Sequence, residues 1–146
     1  MEKTIIEEMR KFNYLIGEID AAYHKASQKL GLSDSAMEIL YIICNHGEEC
    51  QLSRICSLSG TSKQTINSAL RKLEAEGVVR LETLTGRRKK VCLTPQGKAL
   101  TDNTVSRLIE IENEIFSSWS KQERELYLRL TQRYLISIKE KIKESL

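Results

Sequence analysis

The chain has only one proline, seven glycines and two histidines among its 146 residues. So few turn-forming residues argue against an all-β fold and long irregular loops, and a helix-rich protein is the expectation. His24 and His46 stand apart in the sequence, and neither belongs to a metal-ligand or nucleophile motif. The four cysteines, Cys44, Cys50, Cys56 and Cys92, form no Cys-x-x-Cys pair. They read as free thiols rather than a disulfide framework. With no Gly-rich phosphate loop either, no enzyme activity, cofactor or metal is expected. The longest apolar run, Ile39 to Cys44, is six residues, against about 20 for a membrane span. Met1 to Glu7 carries no apolar targeting segment, so no membrane partner and a cytoplasmic location are expected.

What is present is a soluble globular composition, 40% hydrophobic and 29% charged, of a length suited to a single domain over residues 1–146. Charge is unevenly placed. Ser62 to Thr94 holds eight Lys/Arg against three Glu, a local +5 in a chain of net +3, which leaves −2 for the remainder. Cations concentrated in this way suit a polyanion.

From Thr4 to Leu30 apolar residues recur at 5, 9, 12, 16, 19, 23, 26 and 30. That alternation of four and three predicts a helix of about seven turns with a heptad-like seam. A small core cannot cover so long a seam, so part of it is expected to pack against a second subunit. Gly31 ends this helix, and Ser33 caps a second that runs to about His46, with Met37, Leu40, Tyr41, Ile43 and Cys44 inward. Glu48 to Gln51 reads as a polar connection. Gln51 to Glu76 then reads as helix, Gly-containing turn and helix, a helix-turn-helix. Val78 to Thr83 and Val91 to Leu93 have strand character, with a tip from Leu84 to Lys90. Thr94 and Pro95 restart helix up to about Trp119. Ser120, with Glu123 three residues on, forms a capping box for the last helix. The expected fold is mainly α with a small β-hairpin wing. A winged helix-turn-helix region at 33–98 is flanked by dimerisation helices at 1–30 and 100–146.

The second helix of the helix-turn-helix puts Ile66, Ala69, Leu70 and Leu73 toward the core. Its opposite face offers Gln64, Asn67, Ser68 and Arg71 to base edges in a major groove, where paired hydrogen bonds to adenine or guanine specify sequence. Ser62, Lys63, Thr65 and Lys72 are placed for phosphates, which position without specifying. No acid occurs in this helix before Glu74. At the wing, Gly86 permits a tight tip, and Arg87, Arg88, Lys89 and Lys90 follow it. Four adjacent cations repel one another until an anionic partner arrives. A narrow minor groove attracts Arg in particular, which makes Arg87 and then Arg88 the groove probes.

These residues resemble the MarR family of bacterial winged-helix transcription regulators over nearly the full chain. The resemblance rests on Gly31-Leu32, on Leu52-Ser53-Arg54-Ile55, and on Ser62 through Glu74 followed by Gly77-Val78-Val79. It continues through Gly86-Arg87-Arg88 to Val91-Cys92-Leu93-Thr94-Pro95-Gln96-Gly97, where Leu-Thr-x-x-Gly after a basic hairpin is the most specific part. The resemblance implies a homodimer held by N- and C-terminal helices, and a palindromic double-stranded DNA site. It also implies recognition helices in successive major grooves and wings in the minor groove. Two positions depart from the family pattern: Thr85 stands where an Asp commonly supports the wing Arg, and Leu58-Ser59 precedes Gly60 where an apolar residue usually adjoins it. A small repacking of that turn is expected.

The expected function is a transcriptional regulator, a repressor acting on an inverted repeat. The alternative is a winged-helix protein–protein module without DNA binding. A small-molecule effector would enter between the terminal helices and the winged core, lined by Phe12, Ile16, Tyr23, Met37, Tyr41 and Leu108; the competing reading makes these residues plain core. Peroxide-sensing relatives carry a Cys near the start of the first helix, and none occurs here. Cys50 is expected to be exposed and disfavoured as a thiolate by Glu48 and Glu49, and Cys44, Cys56 and Cys92 to be small core residues.

Overall fold

The computed structural model describes residues 1–146. In chain order the elements are α1 (Lys3–Lys29), α2 (Asp34–Asn45), β1 (Glu49–Gln51), α3 (Leu52–Leu58), α4 (Lys63–Ala75), β2 (Val79–Thr83), β3 (Lys89–Leu93), α5 (Pro95–Asn103), α6 (Val105–Ser117) and α7 (Lys121–Ser145). The chain is mainly helical with one small antiparallel sheet, as its composition and periodicity predict. Internal contacts divide it into two units, Met1–Leu108 and Ile109–Leu146.

The first unit is a winged helix-turn-helix built on α2. Ile39, Leu40 and Ile43 of α2 are fully buried, together with Ile55 of α3, Ile66 of α4, Val79 of β2, Val91 of β3 and Val105 of α6. Ile39 and Ile42 are buried, whereas Tyr41 and Cys44 are only half-buried. α2 therefore packs on more sides than one amphipathic stripe indicates. Polar caps start the helices as their residue types predict. Ser33, Ser62, Thr94 and Ser120 each accept a backbone N–H three residues on.

Two features differ from the sequence-based expectation. Glu49–Gln51 is a strand, so the sheet has three strands in the order β1-β3-β2. Its register pairs Glu49 with Cys92 and Gln51 with Lys90. A three-residue strand carries no periodicity of its own; it exists because β3 offers an edge. Pairing also buries Cys50, which the sequence placed at the surface. The second difference is a break at Thr104 between α5 and α6, where one continuous helix was expected. Thr104 Oγ1 donates to the Leu100 carbonyl at 2.8 Å and Asn103 Nδ2 to the Ala99 carbonyl at 3.1 Å. Short polar side chains that bond the preceding turn compete with the backbone ladder, and Thr104 leaves helical geometry at φ −129°, ψ −90°.

The Leu-Thr-Pro-Gln-Gly segment joins α5 to the α4–β2 corner. Thr94 Oγ1 donates to the Gly77 carbonyl at 2.5 Å and receives the Gly97 N–H at 2.9 Å. Gln96 Nε2 donates to the Glu76 carbonyl at 3.3 Å. Gly97 is required by close approach, because a Cβ there would lie 1.9 Å from the Val78 carbonyl oxygen.

The second unit holds the C-terminal part of α6 and α7. Phe116, Trp119 and Tyr127 cluster with ring centroids 5.1 to 6.0 Å apart. Arg124 Nη1 donates to the Trp119 carbonyl at 2.6 Å, satisfying the chain where α6 ends. No residue of α7 is buried, although it carries Leu126, Leu128, Leu130, Leu135, Ile138 and Ile142. No helix is long and apolar enough to cross a membrane.

Candidate nucleic-acid interface

α3, a tight turn at 59–62 and α4 form the helix-turn-helix. Its turn is fixed from below by Glu38 of α2, which the sequence reading did not single out. Gly60 N–H donates to Glu38 Oε1 at 3.1 Å and Thr61 Oγ1 to Glu38 Oε2 at 2.8 Å. Ser59 Oγ accepts the Thr61 N–H at 2.9 Å, while the Leu58 side chain remains exposed. The departure at Leu58-Ser59 is thus absorbed locally, with a hydroxyl bonding inside the turn.

On α4 the buried stripe is Ile66, Leu70 and Leu73. Gln64, Ser68 and Arg71 lie at spacings of four and three residues on the opposite side, and all three are exposed. Asn67 sits on the shoulder of that stripe and is half-buried. Ser62, Lys63, Thr65 and Lys72 are exposed. The Ser62 and Thr65 hydroxyls lie 2.9 Å apart and Ser62 Oγ also caps the helix, so both are already engaged at the α4 start.

β2 and β3 form the wing. Arg88 N–H donates to the Thr85 carbonyl at 3.1 Å, and Leu84 N–H to the Arg88 carbonyl at 2.8 Å. Gly86 takes φ +63° at the first central position of this turn. Backbone bonds therefore close the tip without the Asp that Thr85 replaces. The four cations behave differently. Arg87 and Lys89 are exposed and make no ion pair or hydrogen bond with their side chains. Arg88 Nη2 donates to Gln51 Oε1 of β1 at 3.2 Å. Lys90 is turned onto the sheet, 3.2 Å from Glu49 and 3.4 Å from Glu82, and Glu82 also meets Arg80. Cross-strand alternation explains the split. Lys90 shares one face of the sheet with its register partners Gln51 and Glu82, Arg88 lies two residues earlier, just before β3, and reaches the same Gln51, and Arg87 falls in the turn.

A concavity of about 540 Å³ opens between β1, α3 and the wing base, lined by His46, Glu49, Gln51, Arg54, Leu84 and Lys90 among others. None of the six residues expected around an effector lines it. Met37 is buried, Tyr23, Tyr41 and Leu108 are half-buried, and Phe12 and Ile16 are exposed on α1. No group of three or more His, Cys, Asp or Glu side chains is placed to hold a metal ion. Burial pushes the thiols of Cys44, Cys50 and Cys92 up from their ordinary range. For Cys50 the cause is therefore desolvation, partly offset by Arg54, rather than the neighbouring carboxylates.

Comparison with known proteins agrees with this geometry. A family model described as "MarR family" matches residues 30–89. The HTH-type transcriptional regulator PecS of Dickeya dadantii is 31% identical over 110 residues, 73% of this chain and 66% of PecS, so the chain spans just under two thirds of that relative's length. A MarR family regulator from Neisseria meningitidis superposes with a TM-score of 0.84 at 16% identity, covering 95% of this chain and 99% of that one. The S. aureus MepR–DNA complex gives 0.68 at 24% identity, covering 87% and 97%. These last two show the fold. The wing, the helix-turn-helix and the Leu-Thr-Pro-Gln-Gly corner, taken with the matching family model and the similarity to PecS, mark residues 30–89 as a winged helix-turn-helix of the MarR family.

Proposed function

We propose that the protein is a sequence-specific double-stranded DNA-binding regulator that works in the cytoplasm as a homodimer on an inverted-repeat operator, as a repressor. The observation that carries this reading is the acid-free exposed stripe Gln64, Ser68 and Arg71 on α4, set beside an unpaired Arg87 at the wing tip. Side chains of this kind read base edges in a major groove, and an uncommitted Arg suits a narrow minor groove. A protein of the same fold, S. aureus MepR, has been solved bound to DNA. In this reading Asn67 reads bases from the edge of the stripe. Lys63, Lys72, Ser62 and Thr65 hold phosphates, and Lys89 supplements Arg87. Arg88 and Lys90 brace the wing against β1 and β2.

Homodimerisation is supported by apolar surface left uncovered within each unit. On α1, Ile5, Met9, Ile16 and Ile19 of the heptad-like seam are exposed, and α7 buries none of its leucines and isoleucines. A symmetric dimer presents two recognition helices to half-sites about 34–36 Å apart. An effector acts by favouring a different separation.

The test is selection of duplexes from a random pool by the purified protein, followed by titration of the winning sequence at several salt concentrations. The expected result is an inverted repeat whose affinity falls steeply with salt. An asymmetric single site would overturn the symmetric dimer. No binding to any duplex at low salt would overturn the function and favour a protein–protein module.

A further inference from the structure

The groove at the wing base holds a cation that the proposed interface leaves out. Arg54, on α3, is exposed, and its guanidinium has neither an acidic partner nor a hydrogen bond. Lys90 across the groove is neutralised by Glu49 and Glu82. Among the groove's charged side chains, Arg54 is therefore the one with unspent charge.

Chain order explains why it lies there. β1 pairs with the wing strand β3 and runs directly into α3, so Arg54 follows three residues after Gln51, the residue that holds Arg88. The floor between helix-turn-helix and wing is thus one continuous piece, with Arg54 on its helical side. When a recognition helix occupies a major groove and a wing the adjoining minor groove, the sugar–phosphate strand separating the two grooves must cross between those elements. The concavity of about 540 Å³ is walled by Ser53 and Arg54 of α3 on one side and by Leu84 and Lys90 of the wing base on the other, a path open to such a strand. We infer that this groove is a phosphodiester-binding site, in which Arg54 grips the DNA strand that separates the grooves read by α4 and by the wing. A guanidinium suits the task, since its fork donates two parallel hydrogen bonds to phosphate oxygens. Glu49 on the opposite wall is committed to Lys90, which offsets its repulsion of the incoming anion.

The inference rests on the DNA-binding reading, and the experiment separates the two. Parent, Arg54→Ala and Arg54→Lys proteins are titrated with the selected operator and with a scrambled duplex across a salt series. Loss of one phosphate contact lowers the slope of log K against log salt by about one. Arg54→Ala should show that decrease on both duplexes with the operator preference unchanged, and Arg54→Lys should retain the parent slope. Thermal midpoints of all three should coincide, because Arg54 is exposed. A parent that binds, with an Arg54→Ala slope equal to it, overturns this inference alone. A loss confined to the operator also overturns it, since that would make Arg54 a base reader. A parent that binds no duplex overturns the DNA-binding reading, and this inference falls with it.

Discussion

Thr61 Oγ1 donates to Glu38 Oε2 at 2.8 Å across 23 residues of sequence, and it does so at the turn that aims α4. The other carboxylate oxygen takes the Gly60 N–H. Glu38 stands on the core helix α2, so the recognition helix is referenced to the most buried part of the fold through two hydrogen bonds to a carboxylate.

Removing that reference should cost both stability and aim. Hydrogen bonds to charged groups contribute about 1.5–3 kcal/mol, less where water competes. Glu38→Ala is expected to destabilise by about 1–2 kcal/mol in urea unfolding. Thr61→Val, which keeps the Gly60 bond, should cost less. Operator affinity should fall in the same order at constant scrambled-duplex affinity. Equal loss on both duplexes would mean that Glu38 only holds the fold.

Gly97 is the position least able to accept a side chain. A Cβ would sit 1.9 Å from the Val78 carbonyl oxygen and 2.9 Å from its carbon. Both are backbone atoms, so relief requires β2 and α5 to separate, at the corner that Thr94 also fastens. Gly97→Ala is expected to destabilise by about 2–3 kcal/mol, the upper range for overpacking a core, measured by urea unfolding. Gly17→Ala on α1, where a Cβ meets nothing within 4 Å, should be neutral or stabilising and serves as control.

Asp34 ties α2 to α1. Its Oδ1 lies 2.5 Å from Ser27 Oγ and its Oδ2 2.7 Å from His24 Nδ1. The Ser27 hydrogen bond first, then that of His24, holds the carboxyl below its ordinary value of 3.8. A lowered folded pKa contributes stability that is complete above 3.8 and is lost as pH falls through the folded value. The stability difference between parent and Asp34→Asn should therefore narrow as pH falls below about 4 and the carboxyl protonates. A difference that persists unchanged through that acid window would mean that Asp34 does not gain ionisation energy from these partners.

At the wing, adjacent cations should respond differently to the same truncation. Arg87 has no partner, so Arg87→Ala should leave stability unchanged and lower the salt slope of duplex binding by about one. Lys90 bridges Glu49 and Glu82 with only a quarter of its side chain exposed. Lys90→Ala should keep the slope and cost up to about 1 kcal/mol of stability. The reverse pattern would exchange their roles.

Features set by neighbouring residues could be read from the sequence, and features set by distant partners could not. Ser33, Ser62, Thr94 and Ser120 announce their helices because a cap needs only the next three residues. Gly86 marks the wing tip for the same reason. β1 escaped notice because its strand character comes from β3, and Lys90 meets Glu49 across 41 residues. Cys50 looked exposed between polar neighbours, yet strand pairing turns it inward. The break at Thr104 left a readable trace in the run Thr101-Asp102-Asn103-Thr104, but apolar spacing continued past it and dominated the reading.

The α1 seam offers the sharpest test of assembly. Its C-terminal members Tyr23, Ala26 and Leu30 are half-buried, whereas Ile5, Met9, Ile16 and Ile19 are 37–46% exposed. A regular seam that runs from covered to uncovered is what a helix shared between its own unit and a second subunit requires. Ile19→Glu places a carboxylate where that second subunit would pack. Burying a large aliphatic side chain is worth about 1.5–3 kcal/mol, and a two-fold dimer loses it twice. Dimer affinity should fall by about a thousandfold or more, read by sedimentation over a concentration series. The helix-turn-helix itself does not depend on Ile19, so far-UV helicity should remain. Operator affinity should drop to that of a single half-site. A protein that sediments as a monomer before substitution, or a variant that stays dimeric, would mean that the seam has another purpose.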